Sequence, residues 1–346
     1  MTTTLRRALP AFVGVALLVL FAILSPAVGA KSLPIDQVIS VLWQPDDSAA
    51  SVIVWGLRMP RVLLGAAVGI ALGAAGALAQ AVTRNPLADP GLLGVNAGAS
   101  VAVAMAITFG GVSHYLGFVA WGVVGATVAA VIVITVGAAA RIGDPRTRLV
   151  LTGVALSAML TSVTSALTVT DSTTLNRFRI WTVGSLAGRG WEVAVPTALC
   201  VAILLLLVTP LIRDLGTAAL GDDVARALGA HVVRTRWLVV GGFAALSGVA
   251  TAAAGPIGFV GLIVPHLARI ATGPALGWNV AGSAALGGAL VLASDIVGRV
   301  AVRPGELDVS IVLACIGTPV FLLLIVKTRR RRASTAKRSA RVEATR

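Results

Sequence analysis

The sequence predicts an all-α polytopic membrane protein with about ten transmembrane helices joined by short loops. Of its 346 residues, 57% are hydrophobic and 12% are charged, and the mean hydropathy is +0.94. Soluble domains carry roughly 25% charged residues, so this chain has too little polar surface to coat a water-soluble core of its size. Apolar runs of about 20 residues, long enough to cross a bilayer as helices, recur along the chain. These runs do not alternate with a period of two, which argues against the strands of a membrane barrel.

The predicted spans cover residues 9–28, 62–82, 95–109, 116–140, 149–169, 193–212, 237–254, 256–271, 280–297 and 309–326. The third and eighth spans are short, and Pro265 interrupts the eighth. The first span has an alternative interpretation as a cleaved signal peptide, because Arg6 and Arg7 precede it and small residues end it. Its apolar run is longer than a usual signal-peptide core and further spans follow, so we interpret it as a retained helix.

Basic residues in the loops predict the orientation of the chain. Most of the 28 Lys and Arg residues fall on the side of the N-terminus when ten spans follow it, so both termini are predicted to be cytoplasmic. Residues 1–326 form one predicted membrane domain. The basic segment 327–346 is predicted to be a disordered cytoplasmic tail that contacts the anionic leaflet. Because the charges flank the spans, the net charge of +14 does not indicate nucleic-acid binding.

Besides a short basic turn at 141–148, two polar loops stand out on the predicted cytoplasmic side. Residues 84–91 contain two prolines, which prevent a helix from continuing, and Asn85 and Asp89 can accept hydrogen bonds from nearby backbone amides. The plain interpretation is a tight turn, although an ordinary turn rarely needs two prolines and an asparagine. The second loop, 213–236, contains a predicted amphipathic helix at 220–229. Its apolar stripe and acidic start favour docking to a partner protein over adhesion to an anionic lipid surface.

Arginines form a group on the predicted outer side. Arg58 and Arg61 precede the second span, and Arg299 follows the ninth. Arginines are disfavoured on this side, so the group indicates an acidic partner, the alternative being side chains that are solvated or bound to lipid headgroups. Asp295 lies four residues before Arg299 on the same helix face and is expected to neutralise it. The sequence places no further carboxylate at depth, which argues against a proton relay.

Glycines predict where helices approach closely. In the second span they recur at four-residue spacing, with one more just beyond: Gly65, Gly69, Gly73 and Gly76. Small residues at this spacing let two helix backbones come into contact. We therefore expect the second span to pack tightly inside the bundle.

Several chemical classes are excluded by what the sequence lacks. There is no Walker A loop, so any ATP hydrolysis requires another polypeptide. The two cysteines and three histidines are scattered, so neither a disulfide framework nor a metal site is expected.

Four stretches resemble one known family, in that family's order. They are LRMPR at 57–61, RNPLADPGLLGV at 84–95, GPIGFVGLIVPHLAR at 255–269, and DIVGR at 295–299 with GEL at 305–307. Through them the chain resembles the FecCD-type permease subunits of ABC importers for ferric siderophores, cobalamin and haem, the type II importers. The likeness covers nearly the whole chain up to residue 326, and the second and third stretches are long and specific. The basic tail lies outside it.

The resemblance implies roles for particular residues. The outer arginines match residues that receive glutamates from a substrate-binding protein: Arg58, Arg61 and Arg299. The 213–236 loop matches the coupling helix that docks in a groove of a cytoplasmic ATPase, with contacts implied at Gly221, Asp222, Arg226, Leu228 and Gly229. The cytoplasmic gate is implied at Asn85, Leu87, Arg146 and Thr147. Arg146 departs from the small polar residues usual in relatives, which weakens the gate assignment of the last pair.

The implied function is that of a non-catalytic permease subunit in the bacterial cytoplasmic membrane, which passes an intact ferric-siderophore chelate inward. The implied partners are a second permease copy or homologue, two ATPase subunits that hold ATP and Mg²⁺, an extracytoplasmic substrate-binding protein and membrane lipid, without nucleic acid. The chain itself needs no cofactor or metal ligand, because the chelate passes whole. The alternatives are a permease of the same build for cobalamin, haem or an oxyanion and, more distantly, a stand-alone secondary carrier.

Overall fold

The computed structural model describes residues 3–29, 33–91, 93–112, 114–139, 145–170, 175, 178, 182–218, 227, 231–303 and 305–323. These residues form helices and connecting segments, without a strand in this part of the chain. The helices are α1 (Thr3–Leu24), α2 (Ile35–Trp43), α3 (Ala49–Val82), α4 (Val95–Thr108), α5 (Tyr115–Ala139), α6 (Pro145–Thr170), α7 (Trp191–Ala218), α8 (Val232–Ala254), α9 (Val260–Thr272), α10 (Leu276–Ala301) and α11 (Val309–Leu323). The predicted all-α class is confirmed.

The helices correspond to the predicted spans. Among the described residues, seven helices are long and apolar enough to cross a membrane, namely α1, α3, α5, α6, α7, α8 and α10, and three shorter apolar helices are α4, α9 and α11. The two spans that were short in the sequence are thus α4 and α9. Side chains such as Phe12, Leu151 and Leu206 are exposed on outer helices, as expected for surfaces that face lipid. The chain is a multi-pass membrane protein.

Helix α2 and the start of α3 were not predicted. Val38 and Val41 of α2 are buried against Ala50 and Val54, which lie in an extension of α3 before the predicted second span. This extension includes a π-helical stretch at Val52–Arg58. The sequence signal was weak because α2 is short and the polar residues 44–48 separate it from α3.

Helix α3 is the central element of the bundle and packs most extensively on α10, α8 and α7. In the most apolar 18-residue stretch of α3, 83% of the residues are buried. A Cβ added at Gly69 would lie 2.6 Å from the Cα of Gly288 in α10, and Gly76 contacts Gly261 of α9 in the same way. The predicted close packing of this span is confirmed, because only residues without a side chain fit at these contacts. We call the end where α3 begins the Arg58 end and the opposite end the Arg84 end.

Exchanging one of these glycines for alanine tests the packing. A Cβ at Gly73 would lie 2.8 Å from the carbonyl carbon of Ser283, whereas a Cβ at Gly241 in α8 meets nothing within 4 Å. We expect Gly73→Ala to lower the unfolding free energy by about 1–3 kcal/mol. Gly241→Ala should leave it unchanged or raise it by up to about 1 kcal/mol, because alanine favours helix. Unfolding of the two purified variants in detergent compares them, and equal shifts would contradict the packing.

The helical backbone is broken between α3 and α4. Gly94, with φ of +79°, begins α4, and a Cβ there would lie 3.6 Å from Leu156, near the middle of α6. Asn96, two residues further along, accepts a hydrogen bond from the Thr251 hydroxyl at 3.1 Å. Helix α4 therefore begins inside the bundle, which explains why it is short.

A second break separates α8 from α9. Gly255 has φ of +79° and Phe259 has φ of +69°, a conformation that is uncommon for a bulky residue. Phe259 packs against Gly317 of α11, where an added Cβ would lie 2.7 Å from the Phe259 Cβ. Non-helical backbone at membrane depth is tolerated where protein surrounds it. Most described residues of both breaks are buried or half-buried, so protein surrounds most of this non-helical backbone.

Candidate functional site

Five charged side chains meet at the Arg58 end, and we call them the arginine cluster: Arg58, Arg61, Asp295, Arg299 and Glu306. Asp295 is 1% exposed. Its Oδ1 lies 2.7 Å from Arg61 Nη2, and its Oδ2 pairs with Arg299 one turn along α10. Glu306 lies 2.7 Å from Arg61 Nη1 on the more exposed side of the cluster. The predicted Asp295–Arg299 pair is confirmed, and Asp295 also joins α10 to α3.

The cluster also holds the chain that leaves α1. Arg299 Nη1 donates to the carbonyls of Ser25 and Val28 at 3.0 and 3.1 Å, and Arg299 Nη2 donates to Ser25 Oγ at 3.1 Å. Arg58 Nη1 donates to the carbonyl of Pro26 at 2.6 Å. These carbonyls follow the end of α1 at Leu24, so the guanidinium groups fix the segment that leaves α1. The arginines therefore have a structural role in addition to any role in docking.

A cavity of about 380 Å³ opens beside the cluster. It is lined by Gly29, Ile53, Leu57, Arg58, Arg61, Ala187, Gly188, Arg299 and Glu306. Arg299 is 1% exposed and Arg58 6%, whereas the Arg61 side chain is 11% exposed. The structure thus brings the three predicted docking residues together, with Arg61 the most accessible of them. Docking itself stays a prediction.

Arg189 adds charge near this cavity. It follows the cavity-lining Gly188 in the segment before α7, and burial lowers the pKa of Arg189. Its buried Nε has no hydrogen-bond partner among the described residues. Arginine stays protonated in proteins, so Arg189 adds a fourth positive charge to those of the three predicted arginines.

Between α3 and α4, side chains satisfy the backbone as predicted. Asn85 Oδ1 accepts from the Leu87 amide at 3.1 Å, and Asp89 Oδ1 accepts from the Gly91 amide at 2.7 Å. These are the side-chain-stabilised turns that asparagine and aspartate favour. The local turn prediction is confirmed.

The depth of this segment differs from the prediction. Asn85 and Asp89 are each 8% exposed and Leu93 is 2% exposed, so the segment is not an exposed turn. A Cβ added at Gly261, near the start of α9, would lie 2.8 Å from Asp89 Oδ2. Asp89 is therefore a second buried carboxylate beside Asp295, which the sequence did not predict. The segment descends into the bundle because the break before α4 directs it there, which local sequence does not reveal.

Sequence reasoning missed Gln80, which joins the end of α3 to α9. Pro265 has no N–H, so the carbonyl of Gly261 one turn earlier lacks its helical donor. Gln80 Nε2 donates to that carbonyl at 3.2 Å and to the carbonyl of Leu262 at 3.3 Å. Gln80 Oε1 accepts from Arg269 Nη2 at 3.0 Å. A single glutamine in an apolar span does not form a recognisable motif. Pro265 in the eighth span was the residue that could have indicated a carbonyl in need of a donor.

The remaining predicted residues are only partly described. Thr147 is exposed in the first turn of α6, and the gate role assigned to Thr147, Asn85 and Leu87 stays a prediction. The Arg146 side chain lies outside the described part of the chain, as does the 327–346 tail. The same holds for the predicted coupling residues Gly221, Asp222, Arg226, Leu228 and Gly229.

A bundle of apolar helices with two breaks in its interior is the architecture of a multi-pass membrane transport protein. The model of the FecCD transport family matches residues 17–327, and the chain belongs to this family. The resemblance found in the four sequence stretches is confirmed.

Relatives identify the chain more closely. It is 42% identical over 313 residues to the ferric enterobactin transport system permease protein FepD of Escherichia coli, covering 89% of this chain and 92% of that protein. It is 35% identical over 333 residues to the hemin transport system permease protein HmuU of Yersinia pestis, covering 92% and 95%. A solved metal-chelate type ABC transporter in an inward-facing conformation is similar with a TM-score of 0.77 and 28% identity, over 92% of this chain and 98% of that one. The chain is therefore a permease subunit of an ABC transporter, the non-catalytic membrane component.

Proposed function

We propose that this chain is the permease of an ATP-driven importer that passes an intact ferric-siderophore chelate into the cytoplasm. The observation that carries the proposal is the similarity to FepD, which extends over 89% of this chain. At the coarser level, the chain is a permease of the siderophore, haem and citrate class of ABC importers. Haem is the second candidate because HmuU is 35% identical over a similar length.

The proposed assembly has two permeases, either two copies of this chain or one copy and a homologue. Two ATPase subunits bind at the Arg84 end and hold ATP and Mg²⁺, and a substrate-binding protein docks at the Arg58 end. The excess of basic loop residues at the Arg84 end supports a cytoplasmic location for it, with both termini on that side. The membrane is the bacterial cytoplasmic membrane.

In the proposed mechanism, closure of the ATPase subunits moves the predicted coupling segment at 213–236. Helix α8 begins within this segment and ends at the break before α9, so it provides a direct mechanical connection between them. The break has few helical hydrogen bonds to lose, and Gln80 ties it to α3. A shift of α8 can therefore rearrange both breaks while α3 and α10 stay packed. Alternating access then requires no buried proton relay.

Docking of the binding protein is proposed to exchange one ion pair for another at Arg61. Glu306 is the more exposed partner of Arg61, with 31% of its side chain accessible, so an incoming glutamate would compete with it. We expect Arg61→Gln to weaken binding of the loaded binding protein about tenfold, the scale of one charge-assisted hydrogen bond. Glu306→Gln should leave the affinity unchanged or increase it.

Affinity can be measured by surface plasmon resonance on the importer in nanodiscs, with the thermal midpoint of each variant recorded to detect unfolding. If Arg61→Gln stays folded and binds as tightly as the unmodified protein, Arg61 is not a docking residue. If Glu306→Gln weakens binding as much as Arg61→Gln does, the exchange of ion pairs is wrong.

Uptake into proteoliposomes tests the proposed substrate. The complex with its ATPase and binding protein should take up a radiolabelled ferric siderophore in the presence of ATP, and unlabelled siderophore should compete. Haem and cobalamin, added separately at the same concentration, serve as matched competitors. If haem or cobalamin abolishes the labelled uptake but unlabelled siderophore does not, the siderophore assignment is rejected. The importer assignment is unaffected by that result.

A further inference from the structure

A second cavity of about 380 Å³ lies at the Arg84 end, and we call it the Arg269 cavity. Five helices supply its lining, from the end of α3 to the start of α10. The lining residues are Gln80, Ala81, Val82, Arg84, Leu215, Gly216, Arg236, Arg269, Gly273, Pro274, Leu276 and Asn279. Three of them are arginines, and none of these lining residues is a carboxylate. The described lining is therefore rich in arginine.

Arg269 is the residue that needs a counter-ion most. It is partly buried in α9, and within the described part of the chain its hydrogen bond goes to the neutral amide of Gln80. Burying a cation away from water is costly unless an opposite charge accompanies it. The cavity lining also includes the guanidinium groups of Arg84 and Arg236. An external anion would give Arg269 the opposite charge that it lacks among the described residues.

Two further observations limit the kind of anion. Asn279 is 2% exposed and its Nδ2 donates to the Pro265 carbonyl at 3.1 Å, but its buried Oδ1 has no hydrogen-bond partner among the described residues. The same cavity has apolar walls from Val82, Leu215 and Leu276. A ligand with an anionic group, a hydroxyl donor and an apolar part matches all three types of lining. A bare inorganic anion matches only the arginines.

We propose that the Arg269 cavity binds the phosphodiester headgroup of an anionic phospholipid with free hydroxyls, of the phosphatidylglycerol type. The phosphate lies against the guanidinium of Arg269, a headgroup hydroxyl donates to Asn279, and the apolar walls contact the glycerol and upper acyl region. Basic pockets between helices at the cytoplasmic surface are known to take such headgroups. A neighbouring cavity of about 290 Å³ shares Arg84 and Arg236 and adds Arg148, which extends the same surface. The proposed topology enters this inference at one point, because it assigns the bound lipid to the cytoplasmic leaflet.

Lipid binding to the purified importer complex tests the proposal. Phosphatidylglycerol, phosphatidylcholine or inorganic phosphate is titrated into the complex in detergent, and native mass spectrometry counts bound lipid while the thermal midpoint is followed. We expect phosphatidylglycerol to be retained and to raise the midpoint saturably. Arg269→Gln should weaken this binding roughly tenfold to a hundredfold, because it removes charge-assisted hydrogen bonds to phosphate. Arg213→Gln is the matched control, since Arg213 is an exposed arginine at the same end outside the cavity lining.

Each other outcome overturns the proposal. Equal retention of phosphatidylcholine, or equal binding by the two arginine variants, would show that the cavity does not recognise the headgroup. A midpoint shift with inorganic phosphate that matches the lipid would make it a free-anion site. No effect of any of the three probes would indicate that an acidic protein segment fills it. If Arg269→Gln does not fold, Arg236→Gln provides the same comparison. None of these results depends on which chelate is transported.

Discussion

We expect Asp295→Asn to lower the unfolding free energy by about 3–5 kcal/mol, the usual cost of removing one partner from a buried ion pair. Asp295 is 1% exposed and is the carboxylate shared by Arg61 and Arg299. Asparagine has nearly the same shape, so the effect isolates charge from packing. Loss of the negative charge leaves Arg299, which is also 1% exposed, with only neutral hydrogen-bond partners. The segment after α1 should loosen together with the contact between α3 and α10.

Glu306→Gln is the matched control for this prediction. Glu306 pairs with the same Arg61, but its side chain is 31% exposed, so solvent screens the pair. Exposed ion pairs contribute about 0–1 kcal/mol, and the variant should unfold close to the unmodified protein. Unfolding of the purified complex in detergent, followed by thermal midpoint, compares the two. Equal destabilisation by both changes would contradict the assignment of Asp295 as the central counter-ion.

The second large effect is expected from Gln80→Leu. Leucine has a similar size but cannot donate to the carbonyls of Gly261 and Leu262 or accept from Arg269. Each buried polar group left without a partner costs about 1–3 kcal/mol. We expect a marked loss of stability and a loss of ATP-driven uptake, because the contact between α3 and the break before α9 is removed.

A double-mutant cycle with Pro265→Ala tests whether Gln80 compensates for the N–H that Pro265 lacks. Alanine restores the N–H that the Gly261 carbonyl lacks, so Gln80 should matter less in its presence. The cost of Gln80→Leu should therefore be smaller in the Pro265→Ala background than alone. Additive costs in the cycle would show that Gln80 does not compensate for the proline.

Much of the bundle could be predicted because membrane helices leave a strong local signal. The apolar runs predicted α4 and α9 as short helices, and the glycines of α3 predicted its close contacts, since both depend on neighbouring residues in the chain. Helix α2 was missed because a short amphipathic helix has no such length signal. The contact between Gly98 and Gly125 was also missed, because two isolated glycines on different helices do not form a repeat.

The candidate site was predictable in its residue types but not in its connections. The sequence placed Asp295 and Arg299 on one helix face, but only the fold brings Arg61, 234 residues away, to the same carboxylate. Likewise, the prolines around Asn85 predicted a turn, whereas its burial depends on where α4 begins. Contacts between distant segments are set by helix packing, and a single sequence does not encode them in a readable pattern.

ATP hydrolysis and uptake by the reconstituted complex in proteoliposomes test most directly whether this chain is the permease of an ATP-driven importer. Addition of the loaded binding protein should stimulate ATP hydrolysis, and uptake should require ATP and survive an ionophore that collapses the proton gradient. Uptake that ignores ATP and the binding protein but follows the proton gradient would contradict this function and identify a secondary carrier.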